Sequence, residues 1–182
     1  MRKVNILNVV IAGIGGQGVI TLSNWIRQMA VNAGYTCEGA SFKGGAQRMG
    51  SVYSELRILK NKESGYVFSS QIPKGEVDVL IGLEPWEALR SAKNCHALSH
   101  VLVNSVEEVL YVNRFSDEAL FNPIEKLKEL FINLKSEDFS SKAEMELGAK
   151  NNLNMMMLLE ALERKLLPFS TTDFEKLIPS KG

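Results

Sequence analysis

Cysteine and histidine are scarce in this sequence: its 182 residues include two of each. A zinc site or an iron–sulfur cluster held by one chain usually needs three or four ligands at clustered spacing. Cys37 and Cys95 lie far apart and belong to no Cys-x-x-Cys pair, so we expect reduced thiols and no metal held by this chain. Any redox chemistry linked to the chain would then reside on another molecule.

Excess charge and long apolar runs are also missing. Lys and Arg together number 21, as do Asp and Glu, so no net field draws the chain onto nucleic acid or an anionic membrane. Apolar runs such as residues 155–159 are far shorter than the roughly 18 to 20 residues of a transmembrane helix. The N-terminal residues show no signal-peptide pattern. We expect a cytoplasmic protein without nucleic-acid or membrane partners, folded as one domain over residues 1–182.

Short apolar runs that alternate with helical patterns predict an α/β fold. Residues 8–12, 77–82 and 101–104 are rich in β-branched side chains, which is typical of strands buried on both faces of a parallel sheet. Apolar residues recur at helical spacing within residues 22–33. The sequence therefore predicts a Rossmann-like open, mostly parallel sheet with helices on both faces.

The pattern also predicts an inserted or edge β-hairpin and several later elements. Apolar and polar residues alternate over residues 52–58, and a polar turn separates them from a second candidate strand near residues 66–70. Pro85 and Pro123 stand where proline opens a helix. A last strand at residues 130–134, a helix at 154–166 and a short C-terminal helix complete the expected order.

The first loop is a glycine turn with the sequence Gly13-Ile14-Gly15-Gly16-Gln17-Gly18. It follows a predicted strand and leads into a predicted helix, the context of a dinucleotide fingerprint in which helix amides bind a pyrophosphate. Glu38, about 20 residues beyond Gly18 at the end of the next predicted strand, would be the acid for the ribose. Alternatively, the glycines only allow the strand and the helix to pack closely.

The second loop is rich in glycine and basic residues. Its candidate binding residues are Lys43, Gly44, Gly45, Gln47, Arg48 and Ser51. Inward-turned glycine amides and two cations suit a phosphate or carboxylate, although exposed loops often have this composition without a ligand. Both loops follow strand ends, the edge where open α/β folds bind ligands. Glu84, before Pro85, either accepts a hydrogen bond from a ligand or stabilises a helix N-terminus.

Three ordered motifs carry a family resemblance. They are Gly13-Ile14-Gly15-Gly16-Gln17-Gly18, Lys43-Gly44-Gly45-Ala46-Gln47-Arg48-Met49-Gly50-Ser51-Val52 and Asp78-Val79-Leu80-Ile81-Gly82-Leu83-Glu84-Pro85, followed by Asn154 in a Met-rich helix. Together they resemble the gamma subunit or domain of the 2-oxoacid:ferredoxin oxidoreductases, also called the pyruvate/ketoisovalerate oxidoreductase gamma domain. Within that family they are most similar to the beta subunits of the indolepyruvate ferredoxin oxidoreductases.

The resemblance implies a non-redox subunit of an oxidoreductase that acts on an oxo group, with an iron–sulfur protein as acceptor. In such enzymes a 2-oxoacid is oxidatively decarboxylated on thiamine diphosphate, the acyl group passes to coenzyme A, and electrons pass through iron–sulfur clusters to ferredoxin. Thiamine diphosphate and the clusters would lie on partner subunits, and coenzyme A would meet the two glycine loops. The isolated chain would have no catalytic residue, would be inactive and could form a homodimer.

Two other functions remain open from the residues themselves. One is a stand-alone NAD- or NADP-dependent oxidoreductase that uses the glycine turn and Glu38. The other is a binding module without enzymatic partners, in which Lys43 and Arg48 hold an anionic metabolite.

Overall fold

The computed structural model describes residues 6–44, 50–60, 69–107 and 121–178. A six-stranded sheet with strand order β2-β3-β1-β4-β5-β6 forms its centre. The strands are β1 (Ile6–Ile14), β2 (Thr36–Lys43), β3 (Ser51–Leu59), β4 (Val77–Gly82), β5 (Cys95–Asn104) and β6 (Asn133–Glu137). β1, β4, β5 and β6 pair in parallel, whereas β3 runs antiparallel between β1 and β2. All strands except β3 therefore point the same way.

Helices cover both faces of this sheet, which confirms the predicted fold class. They are α1 (Val19–Asn32), α2 (Pro85–Ser91), α3 (Pro123–Leu130), α4 (Phe139–Leu147), α5 (Leu153–Glu163) and α6 (Thr171–Glu175). α1, α4, α5 and α6 pack on one face, and α2 and α3 pack on the other. Among the helices of the described ranges, none has both the length and the apolarity needed to cross a membrane.

β1 is apolar without interruption from Val9 to Ile14, and its position in the sheet explains this. Val9 and Ile11 lie in the core under α1, and Val10 and Ala12 lie in the core under α2. Because successive side chains of a strand point to opposite faces, a strand covered on both faces needs apolar residues at every position. Burial of each larger side chain stabilises the fold by about 1.5–3 kcal/mol.

The edge hairpin is present, but its strands differ from the predicted pair. β3 pairs along its length with β1 on one side and with β2 on the other. Because both of its edges are occupied, the predicted pairing of residues 52–58 with a strand near residues 66–70 is wrong. Ser69 and Ser70 lie outside any strand, and residues 61–68 are not among the described residues.

The last strand and the helix after it also depart from the prediction. α3 continues to Leu130, and β6 begins at Asn133. β6 pairs with β5 alone among the described strands, so it forms a sheet edge, where polar residues such as Lys135 and Glu137 are tolerated. α4, which follows directly, is an element that the sequence patterns did not predict.

Candidate functional site

The glycine turn links β1 to α1 at the carboxyl edge of the sheet. Gly16 and Gly18 have φ values of 101° and 84°, in the left-handed region that residues with a side chain rarely adopt. A Cβ atom on Gly18 would also lie 2.4 Å from Nδ2 of Asn154, the residue whose helix contributed to the family resemblance. The backbone N–H of Gly15 donates to the carbonyl oxygen of Gly50 at 2.9 Å, which ties the turn to the loop between β2 and β3.

Gln17 holds the turn together from inside. Its Oε1 accepts a hydrogen bond from the backbone N–H of Ile14 at 3.0 Å, and its Nε2 donates to the carbonyl oxygen of Leu83 at 3.4 Å. A Cβ atom on Gly13 would lie 2.8 Å from Gln17 Oε1. Gly13 and Gln17, which were predicted as site residues, therefore have structural roles within the turn that require no bound ligand.

A first cavity of about 400 Å³ lies between the glycine turn and the ends of β2 and β3. Its lining comprises Ile14, Gly15, Gly16, Gly18, Val19, Ile20, Thr21, Lys43, Gly44, Gly50 and Val52. In α1 the backbone N–H of Leu22 donates to Gly18, so the N–H groups of residues 19–21 precede the intrahelical ladder. The first turn has no acidic residue, and Lys43 is the charged residue of the described lining. This cavity therefore has the electrostatics of an anion site.

The predicted binding residues of the second loop do not all face this cavity. Lys43 and Gly44 line the cavity, and the backbone N–H of Gly44 donates to the carbonyl oxygen of Ser51 at 2.7 Å. The Ser51 hydroxyl instead donates to Glu87 Oε2 at 2.7 Å. The predicted residues Gly45, Gln47 and Arg48 lie outside the described residues.

Glu84 is a fully buried carboxyl group at the N-cap of α2. Its Oε2 accepts a hydrogen bond from the backbone N–H of Glu87 at 2.9 Å, whereas its Oε1 has no hydrogen-bond partner among the described residues. The pKa of Glu84 is raised to about 7, mainly by burial and to a smaller extent by the nearby Glu87 carboxylate, which together outweigh the lowering effects of the Glu87 N–H and the Arg90 guanidinium. Glu84 lines neither the first cavity nor the second cavity described below. The structure therefore supports its role as the N-cap of α2 rather than a ligand contact.

The acid of the predicted dinucleotide fingerprint is not at the ligand edge. β2 continues beyond Glu38 to Lys43, and Glu38 lies opposite Arg57 of β3. At about 3.3 Å per residue, Glu38 is about 16 Å from the carboxyl end of its strand. The expectation that Glu38 ends the second strand is therefore wrong, and the first cavity lacks a ribose-binding acid from this position.

A second cavity of about 400 Å³ lies on the other side of the glycine turn. Its lining comprises Ile14, Gly15, Gly16, Gln17, Val106, Asp138, Ser140, Ser141, Lys150, Asn151 and Leu153. Most of these residues follow β5 and β6 or lie next to α5, and sequence reasoning missed them because α4 was not predicted. Asp138 caps α4 and accepts from the Ser141 N–H at 2.8 Å, so the Asp-x-x-Ser spacing is the signal that could have located this helix N-terminus.

Comparison with known proteins adds a relative and two structures. Over 99 residues the chain is 43% identical to "Indolepyruvate oxidoreductase subunit IorB" of Archaeoglobus fulgidus, a match that covers 54% of this chain and 46% of the relative. The chain thus spans about half the length of this curated relative. This level of identity indicates common ancestry. Because the match covers only part of the relative, it does not transfer the activity of the whole relative to this chain.

Two solved structures share the fold. The gamma subunit of a keto/oxoacid ferredoxin oxidoreductase from Geobacter sulfurreducens superposes with a TM-score of 0.62 at 17% identity, covering 97% of this chain and 86% of that one. A 2-oxoglutarate:ferredoxin oxidoreductase from Magnetococcus marinus, solved with 2-oxoglutarate, coenzyme A and succinyl-CoA bound, superposes with a TM-score of 0.60 at 16% identity, covering 96% of this chain and 30% of that one. These likenesses agree with the architecture derived above.

A family model provides the assignment that the motifs predicted. The model described as "Pyruvate ferredoxin/flavodoxin oxidoreductase" matches residues 8–181, a range that includes the glycine turn, the basic loop and the Glu84-Pro85 segment. The chain belongs to the pyruvate ferredoxin/flavodoxin oxidoreductase family.

Proposed function

We propose that this chain is the gamma-type, non-redox subunit of an indolepyruvate-like 2-oxoacid:ferredoxin oxidoreductase, folded as one domain over residues 1–182. Family membership and the indolepyruvate relative support the enzyme class. In this proposal thiamine diphosphate and the iron–sulfur clusters are bound by partner subunits, and ferredoxin interacts with those partners. The described residues contain no group of three or more His, Cys, Asp or Glu side chains placed to hold a metal.

The ligand of this chain, in our proposal, is coenzyme A, and the first cavity is the observation that carries it. The cavity combines the Lys43 ammonium with the N–H groups of residues 19–21, which precede the hydrogen-bond ladder of α1, and its described lining has no carboxylate. Phosphate groups are bound in this way at many helix N-termini. Coenzyme A, which is bound in the solved 2-oxoglutarate relative, carries a pyrophosphate and a further phosphate that suit these donors. Once bound, it would accept the acyl group formed on the partner subunits.

The subunit role is tested by co-expression with the thiamine- and cluster-binding subunits of the same operon or genome neighbourhood. We expect the chain to co-purify with them in a cytoplasmic extract, and we expect the isolated chain to be colourless, inactive with viologen dyes and free to self-associate. Reduction of a viologen by the isolated chain with a 2-oxoacid would contradict the proposal.

The same experiment distinguishes the proposed enzyme subunit from a stand-alone binding module. If the chain binds coenzyme A or another anionic metabolite but never associates with a thiamine-dependent subunit, the enzymatic role falls and the anion site remains. If NAD or NADP binds more tightly than coenzyme A, the assigned ligand is wrong.

A further inference from the structure

The two cavities share one wall. Ile14, Gly15 and Gly16 line both of them, and each volume lies within the range of about 300–1,000 Å³ that is usual for ligand pockets. Gly16 is exposed, and a Cβ atom built on it would meet no atom within 4 Å. Gly16 therefore places no side chain in the way of a ligand that passes over the turn from one cavity into the other.

The cavities differ in charge. The first presents Lys43 and the amide groups of α1, as described above. The second carries charges of opposite sign on Asp138 and Lys150. Hydrogen bonds from the backbone N–H and hydroxyl of Ser141 lower the pKa of Asp138, so this carboxylate is ionised at neutral pH. The second cavity is therefore close to neutral overall and does not favour a phosphate.

The remaining lining of the second cavity suits an uncharged polar group. Asn151 provides an amide group, and Ile14, Val106 and Leu153 provide apolar surface. The Ser140 hydroxyl accepts from Asn104 and can still donate, and the Ser141 hydroxyl donates to Asp138 and can still accept. Hydroxyl and amide groups both donate and accept hydrogen bonds. Such a surface matches an arm that alternates amide or hydroxyl groups with methylene groups.

The position of the second cavity in the sheet points to a ligand as well. It lies beyond the carboxyl ends of the parallel strands β1, β5 and β6. From β1 the chain continues to β2 and β3 on one side of the sheet and to β4, β5 and β6 on the other. Open α/β sheets bind their ligands in the crevice at this change of direction.

We propose that one elongated ligand spans both cavities, with its phosphate end at α1 and Lys43 and its uncharged hydroxyl- and amide-bearing arm in the second cavity. This inference rests on the proposed function, and for coenzyme A the arm is the pantetheine portion. Gly16 is then the point at which the ligand crosses the turn, and the second cavity determines how far the arm is held by this chain.

The test uses two ligands and three variants of the full chain. Coenzyme A has the arm, whereas adenosine 3′,5′-bisphosphate has anionic groups without it. Asn151→Trp fills the second cavity from an exposed position, and Thr21→Trp fills the first cavity from the exposed side of α1. Met145→Trp is the matched control, because Met145 is 79% exposed on α4 and lines neither cavity. Dissociation constants are measured by calorimetry, with melting temperatures to show that each variant folds.

We expect Asn151→Trp to weaken coenzyme A by about tenfold, the effect of one or two lost hydrogen bonds, and to leave the bisphosphate within twofold of wild type. Thr21→Trp should weaken both ligands, and Met145→Trp neither. If coenzyme A binds wild type no more tightly than the bisphosphate, or if Asn151→Trp affects both equally, the spanning ligand is refuted while the anion site stands. If neither ligand binds wild type, both the assigned ligand and this inference are overturned.

Discussion

Gly18→Ala is expected to lower the free energy of unfolding by about 3 kcal/mol, for two separable reasons. Gly18 has a φ of 84°, and an alanine in this left-handed region costs about 1–2 kcal/mol. In addition, its Cβ would lie 2.4 Å from Nδ2 and 2.8 Å from Cγ of Asn154. Asn154 is 8% exposed, so it must shift within a packed environment, at a cost of about 1–3 kcal/mol.

Two further variants separate the strain from the contact. Gly16 has a φ of 101° but open space around a built Cβ, so Gly16→Ala should cost only the strain of about 1–2 kcal/mol. Asn154→Ala removes the two atoms nearest to the new methyl group, although its own Cβ remains 3.2 Å away. We therefore expect Asn154→Ala to restore about 1–2 kcal/mol in the Gly18→Ala background, as a coupling energy in a double-mutant cycle.

Urea denaturation measures these differences, provided that the dependence on urea is the same for all variants. Equal losses for Gly18→Ala and Gly16→Ala would refute the contact between Gly18 and Asn154. Additive effects of Gly18→Ala and Asn154→Ala would refute it as well, since the two residues would then not be in conflict.

Two other changes test the buried groups around the turn. Because burial raises the pKa of Glu84 from 4.5 to about 7, the folded state holds this proton more tightly than the unfolded chain. Wild type should therefore lose stability relative to Glu84→Gln as the pH rises from about 4.5 to about 7, by on the order of 3 kcal/mol. Urea midpoints of both proteins, measured below pH 4 and above pH 8, test this. The prediction is contradicted if the difference between the two midpoints is the same at both pH values. Gln17→Ala should cost about 1–3 kcal/mol, because it leaves the Ile14 N–H without its partner and removes one of the two hydrogen bonds to the Leu83 carbonyl oxygen, which also accepts from Asn104 Nδ2. A melting temperature equal to that of an exposed control such as Gln28→Ala would contradict this.

Several elements could be predicted from sequence because one local signal determines each of them. β1 is apolar from Val9 to Ile14 and β4 is apolar from Val79 to Gly82, since helices cover both faces of these strands. Asn122 and Glu84 cap α3 and α2 directly before a proline, a pattern that defines a helix start without tertiary information.

Strand partners and strand ends depend on tertiary contacts. The alternation in β3 indicates a strand but does not indicate that β1 and β2 flank it. In β2, Gly39 looks like a strand end, yet a Cβ there would lie 2.3 Å from the Glu55 carbonyl oxygen. A close backbone approach thus requires glycine inside the strand. The strand was predicted to end at Glu38 because this glycine was not recognised as part of it.

The candidate site could be predicted only in part, because only some of its residues belong to sequence motifs. The glycine turn and Lys43 come from two recognisable loops, and the structure brings them to one cavity. The second cavity is built from the ends of β5 and β6 and from α4 and α5, so its residues share no sequence motif. They meet only because the parallel strands end at the same edge of the sheet.

The Michaelis constant for coenzyme A tests the central claim most directly, measured with this chain assembled with its thiamine- and cluster-binding partners. Lys43→Ala should raise this constant by about tenfold, the loss expected for one charge-assisted phosphate contact, and should leave the constant for the 2-oxoacid unchanged. Lys93→Ala is the control, since Lys93 is exposed and lines neither cavity. An unchanged constant for coenzyme A in Lys43→Ala, or the same change in Lys93→Ala, would contradict the assignment of the first cavity to its phosphates.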